Sequence, residues 1–235
     1  MGKELLLEIG TEEIPAAFLP KALRDMAEIV RREMEVQRIH HGEVRTMGTP
    51  RRLALWLDQV ADRQEDQIVE KLGPAFRVAY DDEGNPSRAA IGFAKGQGIP
   101  VSELERVSTD KGDYVCARKK ISGDKTENLL PEILTTVIAG LPFRKSMRWS
   151  NLEFRFARPI HWILAIFDGR IVPFRIANLE SGNTSRGHRF MSPDPFQVTG
   201  LEDYLSKTRH HFVIVDPSER RQVIRDEAFK AAEAV

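Results

Sequence analysis

Residues 161–167 and 170–176 are two strand-sized apolar runs separated by Asp168-Gly169, the strongest short-range hairpin signal in the chain. A two-residue Asp-Gly turn suits left-handed backbone at both positions, which matches the twist of adjacent antiparallel strands. A sheet wound only from parallel crossovers does not fit that signal. A second hairpin is expected from 105–109 and 114–121 across Asp110-Lys111-Gly112. Further strands are expected at 4–9, 44–47, 53–60, 68–72 (ended by Gly73-Pro74) and 212–215. Leu19, Leu23, Met26, Val30 and Met34 recur at helical spacing, predicting a long amphipathic helix from residue 18 that Gly42 closes. Pro15 suits the first turn leading into it. Ser87 is placed to cap a short helix over 88–95, and a second amphipathic helix covers about 125–139 before Gly140 and Pro142. Residues 178–186 read as a polar loop, followed by a small helix near Glu202 and a last helix from Pro217. The irregular alternation predicts an α+β (mixed α/β) fold of hairpin-rich sheets with packed helices.

The turn cluster at 81–86 and the breakers Gly96, Gly98 and Pro100 set residues 74–124 apart as an inserted or semi-independent subdomain. The last helix runs into Ala234-Val235 with no Gly, Asn or Pro to stop it, so a truncated sequence is expected.

Charge narrows the partners. Lys plus Arg is 35 and Asp plus Glu is 35, so a uniformly basic nucleic-acid coat is excluded and any RNA contact needs a local patch. The one cysteine, Cys116, excludes an internal disulfide framework and a multi-cysteine zinc site, and fits a reducing cytoplasm. No apolar run approaches the ~20 residues of a membrane span, so no membrane partner is expected. Gly123-Asp124-Lys125-Thr126 lacks the spacing of a phosphate-binding loop, and Gly92, Gly96 and Gly98 follow a helix rather than a strand. Lys145-Ser146-Met147-Arg148 and His161-Trp162-Ile163-Leu164 occur in the wrong order for a class I synthetase site. The paired histidines His40-His41 and His210-His211 chelate poorly, because adjacent side chains diverge. No catalytic residue and no metal ligand set is assigned.

Between residues 141 and 161, Arg144, Lys145, Arg148, Arg155 and Arg158 face one acid, Glu153. Trp149, Phe154, Phe156 and Trp162 interleave with them. Arginine beside exposed rings is the chemistry that grips phosphates and stacks on unpaired bases. Composition alone favours a plainer arrangement, with the rings in a core and the arginines solvated. Arg51, Arg52, Arg186, His188 and Arg189 add basic points. Glu8, Glu12 and Glu13 form either an acidic site or, more simply, a solvated strand-to-helix turn.

Several segments occur together in a fixed order. They are Leu5-Leu6-Leu7-Glu8-Ile9-Gly10-Thr11-Glu12-Glu13-Ile14-Pro15, Thr49-Pro50-Arg51-Arg52-Leu53-Ala54 and Gly92-Phe93-Ala94. Then come Lys145-Ser146-Met147-Arg148-Trp149, Arg158-Pro159-Ile160-His161-Trp162 and Thr184-Ser185-Arg186-Gly187-His188-Arg189-Phe190. The set resembles the beta subunit of the bacterial tetrameric glycyl-tRNA synthetase, from about residue 4 onward. The resemblance implies an enzyme that joins glycine to its tRNA using ATP. The class II active site, and with it the ATP, lies on the alpha subunit; beta mainly handles tRNA. This chain would then be the N-terminal third of beta, without the HD-type and anticodon-binding domains, and would hold no cofactor. The family's N-terminal part is similar to the B3/B4 module of phenylalanyl-tRNA synthetase beta chains, an analogy of fold that carries no activity by itself.

On that resemblance, the tRNA-binding candidates are Arg51, Arg52, Arg144, Lys145, Arg148, Arg158, His161, Arg186, His188 and Arg189, and the expected partners are tRNA for glycine and the alpha subunit. Two alternatives stand beside it: an editing-type hydrolytic domain, and a structural scaffold that docks alpha. Glycine's small size argues against editing, since a site that admits only hydrogen excludes larger amino acids.

Overall fold

The computed structural model describes residues 2–149 and 153–233. The run-out of the last helix at 234–235 and residues 150–152 of the basic segment lie outside them. The chain divides into two compact units, Met1–Gln64 with Asp124–Val235, and Glu65–Gly123. In chain order the elements are β1 (Lys3–Thr11), α1 (Leu19–Val36), β2 (Val44–Thr49), β3 (Arg52–Val60), β4 (Gln67–Ala75), α2 (Phe76–Ala79) and α3 (Arg88–Gln97). There follow β5 (Leu104–Thr109), β6 (Gly112–Ile121), α4 (Thr126–Ala139), β7 (Ile160–Phe167), β8 (Arg170–Ile171) and β9 (Arg175–Ile176). The last are β10 (Leu179–Gly182), β11 (Thr184–Arg186), β12 (Pro195–Gln197), α5 (Leu201–His210) and α6 (Pro217–Glu233). The mixture of sheets and helices is the α+β class that the irregular alternation predicts.

The larger unit is built on a sheet of order β2-β3-β1-β7-β10-β9, with β8 added beside β7. β1 is central and antiparallel to both β3 and β7, whereas β10 runs parallel to β7. Period-two alternation sends Leu5, Leu7, Ile9, Leu55 and Ile163 to one face, where they meet Met26, Val30 and Met34 of α1 and Leu134 and Val137 of α4. Leu6, Ala54, Leu164 and Ile166 point the other way, onto Leu201 and Tyr204 of α5 and Val215. Each fully buried Leu or Ile contributes about 1.5–3 kcal/mol. With both faces covered, β1 has no solvent side, and any polar residue on it is forced inside.

The local signals act as read, with differences at their ends. Asp168 and Gly169 both take positive φ, 52° and 74°, and turn β7 back into β8. The return pairs for only two residues; Pro173 has no N–H to extend the ladder, and the chain leaves to form β9. α1 stops at Val36 rather than at Gly42, because Arg38 adopts φ 52° and the Ile39 N–H closes on the Met34 carbonyl at 2.9 Å. The expected polar loop at 178–186 holds β10, paired with β7 and with the adjacent β9, and β11, paired with β12. Residues 212–215 form no strand: Val213 and Val215 pack against the second core instead, and the Val215 carbonyl accepts one bond from the Gly48 N–H.

The unit Glu65–Gly123 is a three-stranded sheet, β4-β6-β5, over a small core of Ala79, Ala90 and Val115. β4 continues through Gly73-Pro74 to Ala75, with a register shift after Leu72. It is an edge strand, where a proline can sit without removing a ladder bond from a second neighbour. Gly73 is required there, since a Cβ would lie 2.6 Å from the Phe93 ring. The Ser87 hydroxyl accepts from the Ala89 and Ala90 N–H groups at 3.2 and 3.4 Å and donates to the Val78 carbonyl at 2.7 Å. Gly98, at φ 71°, ends the helix. Ser87→Ala should destabilise this unit by about 1 kcal/mol, the ordinary cost of an N-cap; hydrogen exchange along 88–97 unchanged from the parent chain would refute that role.

Candidate functional site

Four of the six motif segments, 5–15, 49–54, 158–162 and 184–190, meet around one face of β1. Glu8 shares that face with Leu6, and the register places Gly10 opposite Arg52 on β3 and Trp162 on β7. Glu8 is fully buried and Arg52 is 2% exposed. An isolated carboxylate there would be costly, so both of its oxygens find donors. Arg52 Nη1 donates to Glu8 Oε1 at 2.9 Å, and Trp162 Nε1 donates to Oε2 at 3.2 Å. The other arm of the guanidinium fork donates to the Arg186 carbonyl at 2.6 Å, and Nη1 also reaches Ser185 Oγ at 3.3 Å. A neutral side chain could not satisfy both ends, which is the use of arginine here.

Gly10 makes the arrangement possible. A Cβ at that position would stand 1.9 Å from the Trp162 ring, so only glycine lets the indole lie across the strand. The ring also carries two cations, Arg52 at 5.6 Å and Arg186 at 6.0 Å from its centroid. Tyr204 closes the pocket from α5. Its fully buried hydroxyl has no hydrogen-bond partner among the described residues, and burial first, then the Glu8 charge, pushes its pKa well above the ordinary tyrosine value. It acts there as a neutral phenol.

Around this interior lies a surface cluster. The Ile14 N–H bonds to the Pro50 carbonyl at 2.7 Å and the Thr11 N–H to the Arg51 carbonyl at 2.9 Å, fastening the first motif to the second. Glu12 bridges His161 at 2.9 Å and Arg189 at 4.0 Å. Gly187 packs where a Cβ would meet His211 at 2.6 Å, and the His188 N–H bonds to the His211 carbonyl. His188 Nδ1 accepts from the Phe190 and Met191 N–H groups, holding that turn. A cleft of about 450 Å³ opens here, bordered by Arg51, His188, Arg189, Phe190, Phe212 and Arg220. Burial lowers the Arg220 pKa; its guanidinium donates to the Gly48 and Ile214 carbonyls at 3.0 and 2.6 Å.

Of the sequence candidates, Arg51, Arg52, His161, Arg186, His188 and Arg189 thus come together. Arg52 is an interior residue rather than a surface contact, because its charge is spent on Glu8. Arg158 is half-buried and donates to the Ala157 carbonyl at 3.0 Å. Arg144, Lys145 and Arg148 are exposed, and Arg144 borders a separate cavity of about 210 Å³ with Phe18, Lys21 and Asp25. The rings of that segment turn inward: Phe156 is buried, and Phe143, Trp149 and Phe154 pack against the core and one another. Glu8 is not part of a solvated turn. Of the residues that enclose the pair, Gly10, Trp162 and Ser185 lie in the motif segments but are assigned no role from the sequence, and Tyr204 is not reached; the available signal is an acid between apolar residues on a strand. Among the described residues, no group of three or more His, Cys, Asp or Glu is placed to hold a metal ion, and no helix is long and apolar enough to cross a membrane.

A mixed sheet covered on both faces, with a cleft beside a buried ion pair, defines the larger unit as an α+β fold. A family model described as glycyl-tRNA synthetase beta subunit matches residues 5–235, and the chain belongs to that family. It is 60% identical over 235 residues to the glycine–tRNA ligase beta subunit of Syntrophus aciditrophicus (strain SB), covering 100% of this chain and 34% of that protein. It is 55% identical over 227 residues to that of Syntrophotalea carbinolica, 97% of this chain and 33% of the relative. Against that of Geobacter sulfurreducens it is 54% identical over 232 residues, 99% and 34%. The chain spans about a third of the length of these relatives.

Glu8→Gln or Arg52→Met alone strands the opposite charge and should cost about 3–5 kcal/mol in urea unfolding. The double variant Glu8→Leu with Arg52→Met should lose less than the sum of its two singles. Singles within about 1 kcal/mol of the parent would show that the pair is not what fastens these segments.

Proposed function

We propose that this chain is the part of a glycine–tRNA ligase beta subunit that supports tRNA binding and subunit assembly, in a cytoplasmic enzyme that attaches glycine to its tRNA using ATP. Adenylate formation belongs to the alpha subunit, and no cofactor is assigned to this chain. The B3/B4 likeness, with residues 74–124 as an insert in a single 1–235 region, is part of the same reading. The observation that carries it is the meeting of the first motif with the Arg51-Arg52, His161 and 184–190 segments at one cationic cleft, within a chain of the beta-subunit family. Clustered arginines on a chain of zero net charge concentrate positive potential where a polyanion can use it. A second reading, a scaffold that docks the alpha subunit, rests on α6, where Ile224 and Phe229 are 64% and 65% exposed.

The purified chain should show no glycine-dependent exchange between ATP and pyrophosphate; exchange in a preparation free of alpha subunit overturns the division of labour. The exposed trio Arg144, Lys145 and Arg148 is testable by salt. If each meets a phosphate, the triple Ala variant should flatten the slope of log affinity for tRNA against log salt by about two units, at about 0.7–0.9 per contact. An unchanged slope with a lowered melting temperature would make the trio structural.

A further inference from the structure

The cleft beside the ion pair has a lining that charge alone does not explain. Phe190 is 80% exposed and Phe212 57% exposed, whereas in the same unit Phe156 is buried and Phe143 and Phe154 pack against the core. The Phe190 ring stands beside Arg189, at 5.5 Å from its guanidinium. Arg51, half-buried, adds a second guanidinium to the same lining. A volume of about 450 Å³ falls within the range of about 300–1,000 Å³ typical of small-ligand sites. It is far too small for a duplex.

We propose that this cleft takes an unpaired nucleotide of single-stranded RNA, its base stacked on Phe190 and its phosphate met by Arg51 and Arg189. The proposal rests on the tRNA-binding reading above and deepens it. A flat ring is the feature that distinguishes base recognition from simple phosphate neutralisation, because every base offers a π-face. Glu12 holds Arg189 at 4.0 Å, and the His188 turn fixes the Phe190 backbone, so the two groups are presented together. An acidic or apolar peptide would not use both the cations and the ring.

The test measures anisotropy of a fluorescein-labelled oligocytidine hexamer, and of an RNA duplex of matched length, with the 235-residue chain. The single strand should bind saturably and more tightly than the duplex. Phe190→Ala should weaken the single strand about tenfold, within the range of stacking losses per base, with the melting temperature unchanged since the ring is exposed. Phe190→Trp should restore binding, whereas Phe190→Leu, apolar but unable to stack, should not. Arg51→Gln should lower the salt slope by about 0.7. No saturable binding by the parent chain, equal affinity of Phe190→Ala, or restoration by Leu each overturns the proposal, the last in favour of an apolar protein partner. These outcomes leave the wider reading to the Arg144, Lys145 and Arg148 experiment, which uses whole tRNA and a different surface.

Discussion

Two opposite charges, Glu8 and Arg52, are held in the interior of the sheet, and the placement of four separate chain segments follows from satisfying them. Removing a carboxylate and a guanidinium from water costs several kcal/mol per ion, which their attraction offsets only when the remaining donors and acceptors are also filled. Trp162 fills one side of the carboxylate, and the Arg186 carbonyl fills the second arm of the guanidinium. The segment at 184–190 has only a short ladder of its own, three residues paired to β12. Its position against β1 and β3 is therefore determined largely by the hydrogen bonds that the buried arginine demands. A hydrophobic contact of equal area would hold the loop less specifically, because it has no direction.

What is legible in the sequence is local. The Asp168-Gly169 turn, the stripe from Leu19 to Met34, and the Ser87 cap all depend on neighbours within a few residues, and all are found. What is not legible depends on distant partners. β10 pairs in parallel with β7 through Ser181 and Gly182, residues with no strand preference, so 179–182 reads as loop until β7 is there to receive it. The strand expected at 212–215 has the right composition, but it meets the edge strand β2 only where the Gly48 N–H bonds the Val215 carbonyl, and Val213 and Val215 pack against the second core instead. Gly73-Pro74 is a stop signal in isolation, yet an edge strand tolerates it.

The site follows the same division. That Arg51, Arg52, His161, Arg186, His188 and Arg189 belong to one constellation is suggested by their segments; that Arg52 lies inside and Arg51 lines the cleft is not. Arg52 is the first residue of β3, paired opposite Gly10, whereas Arg51 stays in the turn before it, so one enters the sheet and the other does not. Glu8 is concealed for a related reason. An acid followed by Glu12 and Glu13 reads as a solvated turn, whereas the alternation Leu6, Glu8, Gly10 already places it on one face of a strand buried on both sides.

The two basic surfaces of the larger unit are chemically unlike. Around Arg144 and Arg148 the rings turn inward, so the arginines there offer charge without stacking, the combination suited to a continuous phosphate backbone. Around Arg189 the order is reversed: Phe190 faces outward while the cation beside it is held by Glu12. That loop is the one latched by Arg52 through the Arg186 and Gly187 carbonyls, so the interior pair fixes the backbone that carries Arg189 and Phe190. A group already ordered in the free protein has less side-chain entropy to lose on binding, about 0.5–1.5 kcal/mol for each rotamer-rich side chain. A surface of loose arginines gains strength through numbers; a cleft with one ring and two placed cations gains it because its groups are already in position. The desolvation cost carried by Glu8 and Arg52 thus does more than stabilise a fold, because it converts a short, weakly paired loop into a preorganised half of the cleft.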